Sequence, residues 1–160
     1  MVFSGSCGGL HVLQCEGGTI LNSNISFNRA QSSRNNDANG GGICLQTSSD
    51  FVIEKSYIVS NVAANGGGGL AILHARKIDV SESSFLSNLA NDGGSVFIQE
   101  SISINISYVS FTDNVAIMNG GSISIDESPN IDIRDSLFLH STSTLAHGSS
   151  IWYVVLFLCV

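Results

Sequence analysis

The sequence is built on a repeat of about 27 residues, and this period restricts the fold more than any other feature. Each repeat opens with two small residues followed by an apolar one, as in Gly41-Gly42-Ile43 and Gly68-Gly69-Leu70. The apolar residues that open the repeats are Leu10, Ile43, Leu70, Val96, Ile123 and Ile151. They are 33, 27, 26, 27 and 28 residues apart. A period of this length is typical of solenoids, in which each repeat buries its apolar face by stacking on its neighbours.

The repeats align in columns when each opening residue is numbered zero. Apolar side chains recur at positions 0, 2, 8, 10 and 15, and serine recurs at position 13. Position 10 is filled by Ile20, Ile53, Val80, Ile106 and Ile133. Position 18 is filled by Asn28, Asn61, Asn88 and Asn114, and then by Ser141. Position 20 is filled by Ala30, Ala63, Ala90 and Ala116.

These columns predict three short strands in each repeat. The apolar pairs at positions 0 and 2 and at positions 8 and 10 have the period of two that is typical of strands, and a third strand ends at position 15. No stretch has the spacing of an amphipathic helix. The predicted fold is all-β: a right-handed, single-stranded parallel β-helix of about six coils, each of 26–28 residues. The alternative is a leucine-rich repeat, which expects apolar residues where this repeat has serine and alanine around its asparagine.

Stacking places identical residues on one another about 4.8 Å apart. We therefore expect a ladder of hydrogen-bonded side chains from the position 18 asparagines, Asn28, Asn61, Asn88 and Asn114. We also expect glycines to allow tight backbone turns between coils. These predicted turn glycines are Gly41, Gly42, Gly68, Gly69, Gly94 and Gly121.

The repeat covers nearly the whole chain, so residues 1–160 are expected to form a single β-helix domain. Residues 31–39 add a polar loop to the first repeat, and loops on rigid scaffolds often carry recognition. Residues 151–160 are all apolar and predict either a final buried strand or the start of a truncated membrane segment. We therefore expect the sequence to be a fragment of a longer repeat array, with uncapped ends that favour self-association.

Composition excludes several functional classes. The chain has 12% charged residues and a net charge of −7, and it contains no basic cluster longer than Arg76-Lys77, so no nucleic-acid partner is expected. The four cysteines show neither a CxxC pair nor a metal-ligand spacing. Free thiols are favoured, and a disulfide stays open as an alternative. These cysteines are Cys7, Cys15, Cys44 and Cys159.

Two motifs of the repeat resemble the GGAI and FxxN motifs of the chlamydial polymorphic outer membrane proteins. Phe85-Leu86-Ser87-Asn88 and Phe111-Thr112-Asp113-Asn114 match the second motif, and Gly120-Gly121-Ser122-Ile123 is close to the first. Ile25 and Ile58 stand where that motif has Phe. The resemblance implies a pectin-lyase-like β-helix at the cell surface or outside the cell, with an adhesive role. The implied partners are a host-cell or matrix protein or a glycan, and contact with a membrane would come only through flanking segments.

An enzyme is the alternative, because β-helices of this kind also include polysaccharide lyases and hydrolases. Such chemistry needs carboxylates at a defined separation. The candidates Asp92, Asp113 and Asp126-Glu127 fall in different columns, and Asp132, Arg134 and Asp135 are expected to form a solvated face. Arg76-Lys77 is distant in sequence from any acidic cluster, and His147 is expected to be a solvated turn residue.

The histidines give no stacked metal site. His11, His74 and His140 occupy positions 1, 4 and 17 of their repeats, so stacking does not align them. We therefore predict no catalytic, cofactor-binding or metal-binding residues and no cofactor. The predicted function is that of a non-catalytic repeat segment of a surface or secreted protein, acting as a spacer and an adhesion or interaction surface.

Overall fold

The computed structural model describes residues 7–31 and 38–145, together with the backbone of Ile151 and Trp152. All regular secondary structure in this part of the chain is β-strand, and it contains no helix that could cross a membrane. The strands follow the repeat, with four strands in each complete coil.

Strands β1 to β20 form five coils of four strands each. Coil 1 contains β1 (Leu10–Leu13), β2 (Glu16–Leu21), β3 (Asn24–Ser26) and β4 (Arg29–Ala30). Coil 2 contains β5 (Ile43–Gln46), β6 (Ser49–Glu54), β7 (Tyr57–Val59) and β8 (Val62–Ala63). Coil 3 contains β9 (Leu70–Leu73), β10 (Arg76–Ser81), β11 (Ser84–Leu86) and β12 (Leu89–Asp92). Coil 4 contains β13 (Val96–Gln99), β14 (Ile102–Ser107), β15 (Ser110–Thr112) and β16 (Val115–Asn119). Coil 5 contains β17 (Ile123–Asp126), β18 (Ile131–Arg134), β19 (Leu137–Leu139) and β20 (Thr142–Ser143), and β21 (Ile151–Trp152) follows it.

Corresponding strands of successive coils pair in parallel and in register, with one irregularity between β12 and β16, which confirms the predicted β-solenoid. The first strands form one sheet in the order β1-β5-β9-β13-β17-β21, and the second, third and fourth strands form three further sheets of five strands each. Phe85 pairs with Phe111, and Ile43 pairs with Leu70, so equal columns lie on one another. The described residues form five four-stranded coils and β21, which is the only described strand of the sixth coil that the sequence predicts.

The prediction of three strands per coil is wrong, since each coil has a fourth strand at positions 19 and 20. The inward residue of this strand is an alanine in coils 1 to 4, and Ala30, Ala63 and Ala90 pack together as a small separate cluster. Alanine differs little in hydrophobicity from its neighbours, and three of the five fourth strands are only two residues long. The alternation that identifies strands is therefore absent from this segment.

The main core runs along the axis of the solenoid between the first three sheets. It contains the inward residues at positions 0, 2, 8, 10 and 15, among which Ile72, Phe85 and Ile98 are fully buried. Coil 1 departs from this pattern, because Leu10 is 39% exposed while its counterpart Ile43 is fully buried. Self-association through the ends stays a prediction.

The end of the predicted insertion 31–39 belongs to the coil. Ala38 is fully buried beside Ala63. The side-chain oxygen of Asn39 accepts hydrogen bonds of 2.9 Å from Asn65 Nδ2 and from the backbone N–H of Gly66. Residues 32–37 lie outside the described residues, as do residues 153–160 of the apolar terminal segment.

The corners between strands depend on left-handed residues that are not glycine. In each coil, the residues at positions 4, 12 and 17 have φ between 44° and 58°. Their side chains are of almost any type and include His74, Glu82 and Tyr108. Left-handed backbone costs such a residue roughly 1–2 kcal/mol, so the surrounding hydrogen bonds must hold the corner in place. These corners cannot be recognised in the sequence, because their residues share no side-chain chemistry.

The predicted turn glycines have a different role from the one expected. The left-handed glycines lie one position earlier, at Gly40 (φ 64°), Gly67 (φ 66°), Gly93 (φ 58°) and Gly120 (φ 58°). A methyl group on Gly68 would instead meet the carbonyl oxygen of Gly94 and the backbone nitrogen and oxygen of Leu89. Gly41 and Gly94 are enclosed by backbone in the same way. These glycines allow one coil to approach the next closely.

Replacing Gly68 with alanine is expected to lower the free energy of unfolding by about 1–3 kcal/mol, because only backbone could move to admit the methyl group. Gly69 is the matched control. A methyl group there would lie 2.9 Å from side-chain atoms of Ile58 and Phe85 and 3.0 Å from the carbonyl oxygen of Ser95. These approaches are less close than the backbone contacts at Gly68, and later coils carry serine at this position. Urea denaturation of the two variants tests the difference. Equal losses at Gly68 and Gly69 would contradict the role given to backbone packing.

Candidate functional site

The asparagine ladder, formed by Asn28, Asn61, Asn88 and Asn114, occupies the corner between the third and fourth sheets. Asn88 Oδ1 accepts hydrogen bonds from the backbone N–H of Asn61 at 2.9 Å and from Asn61 Nδ2 at 3.1 Å. Asn88 Nδ2 donates to the carbonyl oxygen of Ile58 at 2.9 Å and to Asn114 Oδ1 at 3.1 Å. Asn61, Asn88 and Asn114 are almost fully buried, so this ladder is part of the scaffold.

Two serine ladders occupy the other corners. At position 13, Ser83 Oγ accepts a 3.1 Å bond from the backbone N–H of Ser56. At position 5, a column the sequence analysis missed, Ser128 Oγ accepts a 3.0 Å bond from the N–H of Ser101. The second column was missed because Cys15 and Ala75 interrupt it. The corner side chains are thus occupied by hydrogen bonds within the scaffold. We therefore expect functional groups on the outer surface.

One outer groove, which we call the acid–base groove, combines Glu16, His74, Arg76 and Glu100. His74 Nδ1 lies 3.3 Å from Glu100 Oε2, and both side chains are half-exposed. Arg76 therefore lies in a groove with two carboxylates, which corrects the expectation that Arg76-Lys77 is isolated from acidic residues. Stacking creates this proximity between residues that are distant in sequence.

A neighbouring ion pair also follows from stacking. Lys77 Nζ lies 3.3 Å from Asp50 Oδ1 on the preceding coil, and this hydrogen bond holds the pKa of Asp50 below its usual value. The pair is exposed to solvent, so its contribution to stability is small.

The other acidic candidates are dispersed over the surface. Asp113 lies 3.4 Å from His140, and Arg134 lies 2.9 Å from Asp132, with all four side chains exposed. In addition, Asp92 accepts a 2.7 Å bond from Asn119 Nδ2, and Asp126 accepts one of 3.1 Å from Gln99 Nε2. His147 lies outside the described residues.

A second outer groove, which we call the tyrosine groove, follows the corner between the second and third sheets. It has a volume of about 600 Å³, and its lining includes Asn22, Lys55, Tyr57, Glu82 and Tyr108. The two tyrosines are 62% and 63% exposed. They lie two coils apart, which corresponds to about 10 Å along the axis. The sequence analysis singled out neither residue, because they occupy different positions of the repeat.

The charged groups of the tyrosine groove are paired. Lys55 Nζ lies 2.6 Å from Glu54 Oε1 and 3.8 Å from Glu82 Oε2. The hydrogen bond to Glu54 raises the pKa of Lys55, so the ammonium group stays protonated at neutral pH. The groove therefore combines a fixed cation and an amide with two aromatic rings, which suits the recognition of a polar ligand that has apolar faces.

A third group of side chains lies on the outer face of the first sheet. The ligand atoms of Cys7, His11 and Cys44 all lie within 4.8 Å of one another. The sequence analysis expected no such group, because Cys7 and Cys44 are far apart in the chain and only stacking brings them together. Within the described residues, Cys7, Cys15 and Cys44 are free thiols, and Cys159 lies outside that part.

The two thiols of this group interact directly. The thiol of Cys44 hydrogen-bonds the sulfur of Cys7, which lowers the pKa of Cys7 and raises that of Cys44, and burial raises the pKa of Cys44 further. Cys7 is therefore the first of the pair to become a thiolate.

The comparison with protein families agrees with these stacked parallel coils. A family model described as "Right handed beta helix region" matches residues 8–153, which is nearly the whole chain. No curated protein and no solved structure matches the sequence. The family match gives the hand of the coils and leaves the chemistry of the three surface features to be argued from their geometry.

Proposed function

The chain belongs to the right-handed β-helix family, and from this premise we propose that it is a non-catalytic repeat segment that acts as a spacer and presents an interaction surface. The observation that carries the proposal is the tyrosine groove, where Tyr57 and Tyr108 project from a rigid stack of coils. Tyrosine offers a large amphipathic contact area at a low cost in conformational entropy, which is why it is enriched in recognition surfaces.

The proposed partner is a glycan or the glycan-bearing surface of a host-cell or matrix protein. Sugar rings combine apolar faces with a rim of hydroxyl groups. The two tyrosine rings suit those faces, while Asn22, Lys55 and Glu82 offer hydrogen-bonding groups to the hydroxyls. Because the strands of the scaffold are paired on both sides at this level, the groove is pre-formed and little ordering is needed on binding.

We place the segment at the cell surface or outside the cell, in line with its resemblance to adhesive outer membrane proteins. That resemblance rests on the FxxN and GGAI motifs, both of which serve the scaffold: the asparagine forms the ladder and the glycines allow close packing. These motifs therefore support an extended β-helix more directly than they support an outer-membrane location.

The alternative is a polysaccharide lyase or glycoside hydrolase, for which the acid–base groove is the relevant observation. Glu16 belongs to coil 1 and Glu100 to coil 4, so their backbones are about 14 Å apart along the axis. The carboxyl groups of paired glycosidase residues lie about 5–9.5 Å apart, so both glutamate side chains would have to extend toward each other across the groove to reach that separation. The His74–Glu100 pair is also half-exposed, whereas catalytic acids and bases usually lie in enclosed sites that exclude water. The geometry therefore favours binding over catalysis.

Substituting Tyr57 and Tyr108 together with alanine is expected to weaken glycan binding roughly tenfold or more, since exposed aromatic anchors commonly contribute 1–2 kcal/mol each. The measurement is retention on immobilised polygalacturonate and on a neutral glucan, with Ca²⁺ present. Phe27→Ala is the matched control, because Phe27 is an aromatic residue that is 81% exposed and lies outside the groove.

The same incubations separate the proposal from its alternative. Retention without release of shorter products supports a binding module. Formation of oligosaccharides that is lost in Glu100→Gln would support the enzyme and contradict the proposal. Equal retention of the double tyrosine variant and the unsubstituted chain would show that the tyrosine groove is not the binding surface.

A further inference from the structure

The group formed by Cys7, His11 and Cys44 has a geometry that no structural role of the repeat requires. His11 and Cys44 are register partners on β1 and β5, at the outward-facing position 1 of their coils. Cys7 lies three residues before the opening residue of coil 1, at the position that Gly40 fills in coil 2 and Gly67 fills in coil 3. A thiol is therefore placed where the next two coils have no side chain.

The surroundings of the thiols are apolar. Cys44 is buried against Ala71, Leu73 and Phe97 on the outer face of the first sheet, and Cys7 packs on the same cluster. His11 lies on the exposed side. This arrangement places Cys44 in an apolar environment, with the half-buried Cys7 beside it and His11 toward solvent.

A neighbouring side chain orients the imidazole of His11. Its Nε2 atom lies 3.3 Å from Oε1 of Gln46, two residues beyond Cys44 on β5. Because an amide oxygen only accepts hydrogen bonds, this contact favours the tautomer with the proton on Nε2, in which Nδ1 carries a lone pair. Partners of this kind fix the tautomer and ring orientation of metal-binding histidines.

We propose that Cys7, Cys44 and His11 form a binding site for a thiolate-preferring divalent cation, with Zn²⁺ as the expected ion. Two thiolates and an imidazole are a known ligand set for tetrahedral Zn²⁺. Zn–S bonds of about 2.3 Å place two sulfur ligands about 3.8 Å apart, so ligand atoms within 4.8 Å of one another need to close by only about 1 Å. Three protein ligands leave the fourth position to water or to another ligand.

Binding would join coil 1 to coil 2 on the outer surface. Each thiol loses its proton as its Zn–S bond forms, and no oxidant or reductant is consumed. The cation would hold the segment before β1 against β5. It would do so at coil 1, whose opening residue Leu10 is more exposed than its counterpart Ile43 in coil 2. The cation would therefore stabilise the first coil, which lies at one end of the described stack.

Cobalt titration of the full reduced chain tests the proposal. Co²⁺ is expected to bind with a stoichiometry of one, producing thiolate-to-metal charge-transfer bands and the strong visible absorption of a tetrahedral site, and Zn²⁺ is expected to displace it. Cys7→Ala and Cys44→Ala should abolish these bands, and Gln46→Ala should weaken binding roughly tenfold by releasing the imidazole. Cys44→Ala is expected to fold, because Ala71 fills the same position in coil 3.

Cys15→Ala is the matched control. Cys15 is a free thiol of the same coil whose sulfur donates to the carbonyl oxygen of Gly17, and its removal should leave the spectrum unchanged. The proposal is overturned if the reduced chain gives no charge-transfer bands, or if the bands survive in the Cys7→Ala/Cys44→Ala double variant. It is also overturned if peptide mapping finds Cys7 and Cys44 joined in a disulfide that persists with Zn²⁺ and a mild reductant.

Discussion

Asn88→Ala is expected to lower the free energy of unfolding by about 3–5 kcal/mol. The substitution removes the acceptor of the buried N–H of Asn61, and a buried donor without a partner costs about 1–3 kcal/mol. It also removes three further side-chain hydrogen bonds, to Asn61, Ile58 and Asn114. Because the ladder runs through consecutive coils, we expect the loss to spread beyond the substituted coil.

Urea denaturation followed by circular dichroism measures this loss. Asn24→Ala is the matched control, since Asn24 is an exposed asparagine in a strand of the neighbouring sheet, and it should change stability by less than about 0.5 kcal/mol. Asn88→Asp separates size from hydrogen bonding: it keeps the acceptor, loses the donor and adds a buried charge, so it should be at least as destabilising as alanine. A loss below 1 kcal/mol for Asn88→Ala would contradict the structural role of the ladder.

Phe111→Ala is expected to cost about 3–5 kcal/mol, the usual range for removing a buried aromatic side chain. Phe111 is fully buried in the middle of a stack of three rings. Its ring centroid lies 5.2 Å from that of Phe85 and 4.8 Å from that of Phe138, with interplanar angles of 19° and 8°. Alanine would leave a cavity between the two flanking rings, which the paired strands prevent from closing.

The same denaturation assay tests this result with two comparisons. Phe111→Ile should cost less than Phe111→Ala, because a branched aliphatic side chain fills more of the site and Ile58 fills the same column in coil 2. Phe27→Ala removes an exposed ring and should have almost no effect. If Phe111→Ala and Phe27→Ala were equally destabilising, the stack would have no special role in the core.

The columns of the repeat predict the architecture well, because in-register stacking repeats one chemical environment every coil. The isoleucines of positions 2 and 10 and the phenylalanines of position 15 are much more hydrophobic than their neighbours in the sequence. The strands that contain them could therefore be predicted. The fourth strand was missed because its inward residue is a small alanine such as Ala63. The left-handed corners were missed because Thr47 and Glu82 share no side-chain chemistry, only a place directly before a ladder serine.

The two grooves and the group of cysteine and histidine ligands could not be predicted from the columns, for a different reason. A column compares residues at the same position of different coils, whereas the surface groups combine different positions. Cys7 comes before the first strand and Cys44 lies within one, and Tyr57 and Tyr108 are two positions out of step. Their proximity depends on how each corner bends and on where each side chain points, which a list of columns does not contain.

The uniform register between coils has a consequence for how such a chain can change its length. Removing residues 70–95, one complete period, would join Gly69 directly to Val96, and the shortened chain would retain every column. Duplicating the same segment would lengthen the stack by about 4.8 Å and extend the asparagine ladder and the position 13 serine ladder by one member each. Because the junctions between coils are interchangeable, unequal recombination between repeats can vary the number of coils while each product keeps a foldable core.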